Sequence, residues 1–179
     1  MATSGIRFEG AITALVTPLS NGLIDEAALV RLVDEQIAAG IDGLVPAGTT
    51  GEGATLTADE QARVIRLVVA RARGRVPVIA GAGASSTART IELAEAARSA
   101  GADGLLLVTP YYNKPTQDGL LRHFRAVTEA VPLPTIVYNV PSRTGCDLLP
   151  DTVEQLAELP TVVAIKEATG SVLRATQIL

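Results

Sequence analysis

The sequence has little of what several common functions require. It holds one cysteine, one histidine, three tyrosines, two phenylalanines and no tryptophan. A lone cysteine, Cys146, excludes an internal disulfide and fits a reducing compartment, which predicts a cytoplasmic protein. A reactive thiolate needs an electropositive setting, so Cys146 reads as a small core or loop residue and not as a nucleophile. So few aromatics leave no platform on which bases could stack. Hydrophobic residues make up 47% of the chain, yet the uninterrupted apolar runs are short, as in Leu105 to Val108. None approaches the roughly 18 residues of a membrane span. Met1 to Gly10 contains one basic residue and no apolar stretch, which predicts no secretory leader.

Charge of one sign is also not concentrated. Fifteen basic residues stand against nineteen acidic ones, for a net charge of −4. Only Arg71, Arg73 and Arg75 bunch together, at a predicted helix end where cations suit the macrodipole. No nucleic-acid surface is expected from this pattern, and no membrane partner. The 179 residues show no linker, low-complexity segment or charge block, so one domain over residues 1–179 is predicted.

What is present is a rhythm. Six apolar, β-rich runs recur at about thirty residues, the length of a βαβ unit. They are Ala11 to Pro18, Gly43 to Ala47, Val76 to Ala80, Gly104 to Thr109, Thr135 to Asn139 and Val162 to Lys166. The runs are continuous and do not alternate, as expected of parallel strands covered on both faces. Between them, apolar residues step by three and four, as in Ala27, Leu29, Val30, Val33 and Ile37 and again in Ile91, Leu93, Ala94 and Ala97. Asp25 can cap the first helix and Gly40 close it; Thr57 and Glu60 have capping-box spacing; Gly101 can close the third helix; Pro150 and Asp151 can open the helix after the fifth run.

Strict β/α order leaves a doubly wound sheet or a (β/α)8 barrel. A dinucleotide binder carries its glycine fingerprint after the first strand, but that run ends in Thr17-Pro18-Leu19. Gly81-Ala82-Gly83-Ala84 after the third run lacks the third glycine and the later acidic residue, so it reads as a tight turn. The α/β class with TIM (β/α)8 topology is the better fit. Closure takes eight strands and typically ~250 residues, so only the first six units are expected here, an incomplete barrel from a longer product.

Polar residues gather where the strands end, the face on which barrels do chemistry. Gly48-Thr49-Thr50-Gly51-Glu52 follows the second run, and its hydroxyls and backbone N–H groups can hold a carboxylate; an ordinary turn would have the same composition. Thr109-Pro110-Tyr111-Tyr112-Asn113 follows the fourth run, and Tyr138-Asn139-Val140-Pro141-Ser142-Arg143-Thr144-Gly145 includes the end of the fifth. A tyrosine can move protons and an arginine can clamp a carboxylate, although each is also common as a core aromatic or a surface charge. Lys166 ends the sixth run. An amine there either lies beyond the strand in solvent or is desolvated, as Schiff-base lysines are.

Four blocks together, Gly48 to Glu52, Pro110-Tyr-Tyr-Asn-Lys-Pro115, Tyr138 to Gly145 and Ile165-Lys-Glu-Ala-Thr-Gly170, resemble the dihydrodipicolinate synthase family in order and spacing across nearly the whole chain. The Tyr-Asn-Val-Pro-Ser-Arg-Thr-Gly block is more similar to those synthases than to the sialic-acid lyases and keto-deoxy-sugar aldolases of the same superfamily. The resemblance implies a lyase of lysine and diaminopimelate biosynthesis that condenses pyruvate with aspartate semialdehyde. It implies a Schiff base on Lys166, with Tyr138, Thr49 and Tyr112 relaying protons. Thr50 and the Gly48 loop would bind the pyruvate carboxylate, Arg143 would gather the aldehyde's carboxylate, and Asn139 falls in the substrate-binding set. No metal or organic cofactor is implied. Tyr112 would reach a neighbouring subunit, so a homodimer or dimer of dimers (a homotetramer) is expected. The alternatives are a sister aldolase, such as N-acetylneuraminate lyase or a 2-keto-3-deoxy sugar acid aldolase, and an inactive remnant.

One departure has a consequence for regulation. Where family members inhibited by lysine have histidine, asparagine and glutamate, this chain has Ala58, Gln61, Ser85 and Arg89, while Tyr111 is kept. Weak or absent feedback is therefore predicted, and strong inhibition by lysine at physiological concentration would refute it.

Overall fold

The computed structural model describes residues 8–179. Most of the stretch read for a leader, Met1 to Arg7, lies outside the described residues. In chain order the elements are β1 (Ile12–Ala14), β2 (Leu19–Ser20), β3 (Leu23–Ile24), α1 (Glu26–Ala38), β4 (Gly43–Val45), α2 (Ala58–Ala72), β5 (Ile79–Gly81), α3 (Thr87–Ser99), β6 (Gly104–Val108), α4 (Gln117–Ala130), β7 (Thr135–Asn139), α5 (Pro141–Thr144), α6 (Pro150–Ala157), β8 (Val162–Glu167) and α7 (Val172–Ile178).

Six strands form one parallel arc. β1 pairs with β4, and the four strands β5-β6-β7-β8 are bonded in that order. A parallel bridge between Leu44 and Val78 joins the two groups. Each strand is followed by a helix that returns the chain to the other end, as parallel pairing requires. Among the described residues, β1 and β8 have no further strand at their outer edges.

Alternation along the strands sorts the core into two layers. Leu44 and Val78 face α1 and α2 with Leu29, Val33, Val64 and Val68. Leu105, Leu107 and Val137 face α3, α4 and α6 with Leu120, Phe124 and Leu156. The intervening residues Val45, Ile79, Leu106, Ile136 and Tyr138 line the concave inner wall. Burial on both faces is why the strand runs are continuously apolar.

Local signals act where expected. Asp25 accepts from the Ala28 N–H at 2.9 Å, and Thr57 and Glu60 form a complete capping box. Gly40 and Gly101 follow their helices with φ of +84° and +87°. Pro150 opens α6. Arg71 and Arg75 do more than face a dipole, because both reach Asp34 on α1. The Arg71 guanidinium holds that carboxyl below its ordinary range.

Three boundaries differ from expectation. The first strand stops at Ala14 instead of running to Pro18, because the chain turns into the β2–β3 hairpin. Asn21 and Gly22, at φ +51° and +78°, make the turn that suits such hairpins. The third strand begins at Ile79 and not Val76, since Pro77 has no N–H for the ladder. The short helix α5 falls where only a loop was expected.

His123 on α4 is buried against Phe124, ring edge to face at 5.1 Å between centroids. Its Nδ1 meets the Thr87 hydroxyl at 2.9 Å, and its Nε2 has no partner among the described residues. Burial lowers its pKa from 6.5 to about 4. The neutral ring is therefore favoured by folding. That stability is complete above pH 6.5 and is lost as pH falls through about 4, to a limit of about 3 kcal/mol. Thermal melts should show the midpoint falling between pH 6.5 and 4, and His123→Gln should flatten that slope.

Candidate active site

The inner wall ends in a cavity of about 370 Å³ at the C-terminal ends of the strands. Its lining comes from four loops, with Gly48, Thr49 and Glu52 after β4, Gly83 after β5, Tyr111 after β6, and Val140, Arg143 and Thr144 after β7, besides Tyr138 of β7 itself.

Close backbone packing shapes this cavity. A Cβ on Gly81 would lie 2.4 Å from the Ala47 carbonyl oxygen and 2.7 Å from the Gly48 Cα. One on Gly53 would lie 2.1 Å from the same oxygen. Only glycine lets the three segments approach so nearly. Ala47 and Glu52 take φ of +54° and +58°, a strained conformation for non-glycine residues that is concentrated in the loop at the cavity. Gln61, buried on α2, donates to the Gly53 carbonyl at 2.5 Å and fastens the loop from behind.

Tyr138 and Lys166 are ladder partners on β7 and β8. Their side chains share the inner face, and the Lys166 amine sits 4.3 Å above the centre of the Tyr138 ring. Lys166 as a residue is exposed at the open edge of the arc, but its amine loses hydration against the ring, and this lowers its pKa. The ring face attracts the ammonium form by about 0.5–1 kcal/mol at an exposed site, which offsets part of that fall. A lowered amine pKa raises the neutral, nucleophilic fraction near neutrality. Of the two readings left open for Lys166, the partly desolvated one fits this geometry.

The structure sorts the other predicted site residues. Gly48, Thr49 and Arg143 line the cavity with Tyr138. Arg143 lies on α5 and has no carboxylate partner among the described residues, so its charge is available to an incoming anion. Thr50 is exposed and Tyr112 is 92% exposed; neither lines the cavity. Asn139 does not line the cavity. It follows Tyr138 on β7, so its side chain points to the opposite, helix-facing side, where it is fully buried and bonded to Asp147, Glu167 and Leu148. Of the four positions that stand where lysine-inhibited relatives differ, Gln61 lines the cavity, as does the retained Tyr111, while Ala58, Ser85 and Arg89 do not.

Sequence reasoning missed the group behind the wall. Arg174 of α7 grips Asp147 with two bonds of 2.9 Å, and Asp147 accepts from Asn139. A carboxylate at Glu167, ending an apolar strand beside the lysine, was the legible signal. No group of three or more histidine, cysteine or acidic residues among the described residues is arranged to hold a metal ion.

Comparison with known proteins places this geometry in a family. The model of the dihydrodipicolinate synthetase family matches residues 7–179. The chain belongs to that family. Its curated relatives include the 4-hydroxy-tetrahydrodipicolinate synthases of Pelobacter propionicus, 56% identical over 172 residues, and of Geotalea daltonii, 59% identical over 172 residues. Each match takes in 96% of this chain and 59% of the relative. The fold superposes at a TM-score of 0.93 on the chloride-inhibited dihydrodipicolinate synthase of Acinetobacter baumannii complexed with pyruvate, at 52% identity over 94% of this chain and 58% of that one. It superposes at 0.92 on the Aquifex aeolicus enzyme, at 44% identity over 96% of this chain and 59% of that one. The fold is accordingly that of the family's TIM barrels, with six β/α units in a chain that spans about 59% of the relatives' length.

The cavity's dependence on close backbone contact is testable. Gly81→Ala forces Ala47 and Gly48 apart and should destabilise the chain by about 1–3 kcal/mol, read as a lower denaturant midpoint.

Proposed function

We propose that the chain carries the catalytic half of a lyase that condenses pyruvate with aspartate semialdehyde through a Schiff base on Lys166. The observation that carries this reading is the Lys166 amine against the Tyr138 ring, beside a cavity at the strand ends. The relatives' shared name, 4-hydroxy-tetrahydrodipicolinate synthase, supports the choice of reaction.

In the proposed chemistry the neutral amine adds to the pyruvate ketone, and the carbinolamine loses water to give an iminium. The iminium withdraws electrons, so a methyl proton leaves and an enamine forms. The enamine carbon attacks the aldehyde carbon, making the carbon–carbon bond, and the aldehyde oxygen takes up a proton. Tyr138 is the group placed to carry these protons next to Lys166, with the Thr49 hydroxyl on the same cavity as the next relay member. Arg143 offers a bidentate clamp for the carboxylate of the incoming aldehyde. The loop from Gly48 to Thr50 holds the pyruvate carboxylate through its backbone N–H groups, Gly48 and Thr49 being the members that line the cavity. The lysine iminium serves as electron sink, so the reaction uses no metal or organic cofactor.

Tyr112 has no catalytic partner among the described residues. Its near-complete exposure on a backbone at φ +76° supports its role as a relay group delivered to a second copy, and hence a homo-oligomer. No helix among the described residues is long and apolar enough to cross a membrane.

Incubation with pyruvate and borohydride, followed by peptide mass spectrometry, tests the reading. A reduced adduct is expected on Lys166 and absent from Lys166→Ala, and Tyr138→Phe should slow its formation by about 10²–10⁴-fold. Folded protein that forms no adduct would overturn the proposal. Added before the borohydride, aspartate semialdehyde, and not sugar aldehydes, should react with the enamine and lower the yield of the reduced pyruvate adduct.

A further inference from the structure

The strand that carries Lys166 is irregular just before it. Thr135 pairs with Val162, but the next residue of β7, Ile136, pairs with Ala164. β8 therefore advances two residues where β7 advances one, with Val163 as the extra residue. Packing agrees, because Val162 and Ile165 both lie against the helix-facing core although they are three residues apart. In a regular strand, residues three apart face opposite sides.

The bulge decides where the lysine points. Uninterrupted pairing from Thr135–Val162 would set Ile165 beside Tyr138 and Lys166 beside Asn139. A one-residue shift moves every side chain to the other face. The amine would then enter the helix-facing layer, where Asn139 is fully buried, and Glu167 would enter the apolar inner wall.

Contacts that hold the shifted register lie on the helix side. Asn139 Nδ2 donates to Glu167 Oε2 at 3.0 Å and to Asp147 Oδ1 at 2.9 Å, while its Oδ1 accepts from the Leu148 N–H at 3.0 Å. Glu167 Oε1 accepts from the Thr169 N–H at 2.6 Å. Arg174 closes the group on Asp147 and donates to the Leu148 carbonyl at 3.1 Å. The Asn139–Glu167 bond forms only when these two residues are opposite each other, which is the register that puts Lys166 opposite Tyr138. The bonds to Asp147 and Leu148 fix the Asn139 amide that makes it.

We propose that Asn139 and Glu167, braced by Asp147 and Arg174, are positioning residues that lock β8 in its bulged register and so turn Lys166 onto Tyr138. The inference rests on Lys166 being the pyruvate-binding amine. None of the four touches the reacting atoms; they act through the strand.

The sequence has only two lysines, Lys114 and Lys166, so the protein reductively methylated with carbon-13 gives a simple lysine spectrum. The Lys166 methyl resonance, identified by its loss in Lys166→Arg, should be displaced from that of Lys114 by the Tyr138 ring current. Asn139→Ala and Glu167→Ala should move it back towards the Lys114 position and, in separate unmethylated samples, slow pyruvate trapping by about tenfold to a hundredfold. Glu167→Gln, which keeps an acceptor oxygen, should retain the displaced resonance and most of the trapping rate. Folding is checked by cooperative melting. Where Asn139→Ala does not melt cooperatively, Arg174→Ala takes its place and should move the resonance in the same direction. An unmoved resonance and an unchanged trapping rate in the folded alanine variants would overturn the proposal. Wild-type protein with the displaced resonance but no pyruvate adduct would end the aldolase reading, and the resonance would still test the register.

Discussion

The pairing of β7 with β8 is the constraint on which the candidate site depends. A phenol and an amine come from strands adjacent in space but separated in sequence by two helices, α5 and α6. Only the ladder makes Tyr138 and Lys166 neighbours. A ladder fixes facing as strictly as distance, since side chains alternate with period two. The inner face receives Tyr138 and Lys166, and the outer face receives Asn139 and Glu167, which use hydrogen bonds where the rest of that layer uses apolar contact.

The remaining parts serve the same end of the arc. Loops after successive strands converge there because all six strands run the same way. The loop after β4 approaches most closely, held by glycines at positions 53 and 81 and by Gln61 from behind. Two non-glycine residues there sit at positive φ, a cost of order 1–3 kcal/mol each that the surrounding packing maintains. Locally strained backbone beside a cavity suits the proposed role of holding a small anionic substrate in one orientation. The contrast with Tyr112 is instructive: the same backbone strain recurs there, but the side chain points away from its own cavity.

Much of the fold was legible because its signals are local. Caps at Asp25 and Thr57 and the proline at position 150 set helix starts within a residue. The apolar runs located all six strands of the arc. The β2–β3 hairpin also had a local signal, Asn21-Gly22, but only two residues pair on each side of it, too few to stand out as an apolar run. Pro77 shortened the third strand from the other direction.

The sequence by itself determined the β/α order, the helix boundaries and the residue types at each strand end, because these follow from nearest-neighbour chemistry and hydrophobic period. Family resemblance added the roles implied for Lys166, Tyr138, Thr49 and Arg143. Only tertiary structure decided which of the strand-end residues face the cavity. Asn139 adjoins Tyr138 in sequence, and adjacency on a strand means opposite faces. The bulge at Val163 was invisible for a related reason. A run of apolar residues covered on both sides carries no alternation from which a register shift could be read, so the facing of Lys166 was settled by pairing with β7 and by the polar bonds behind it.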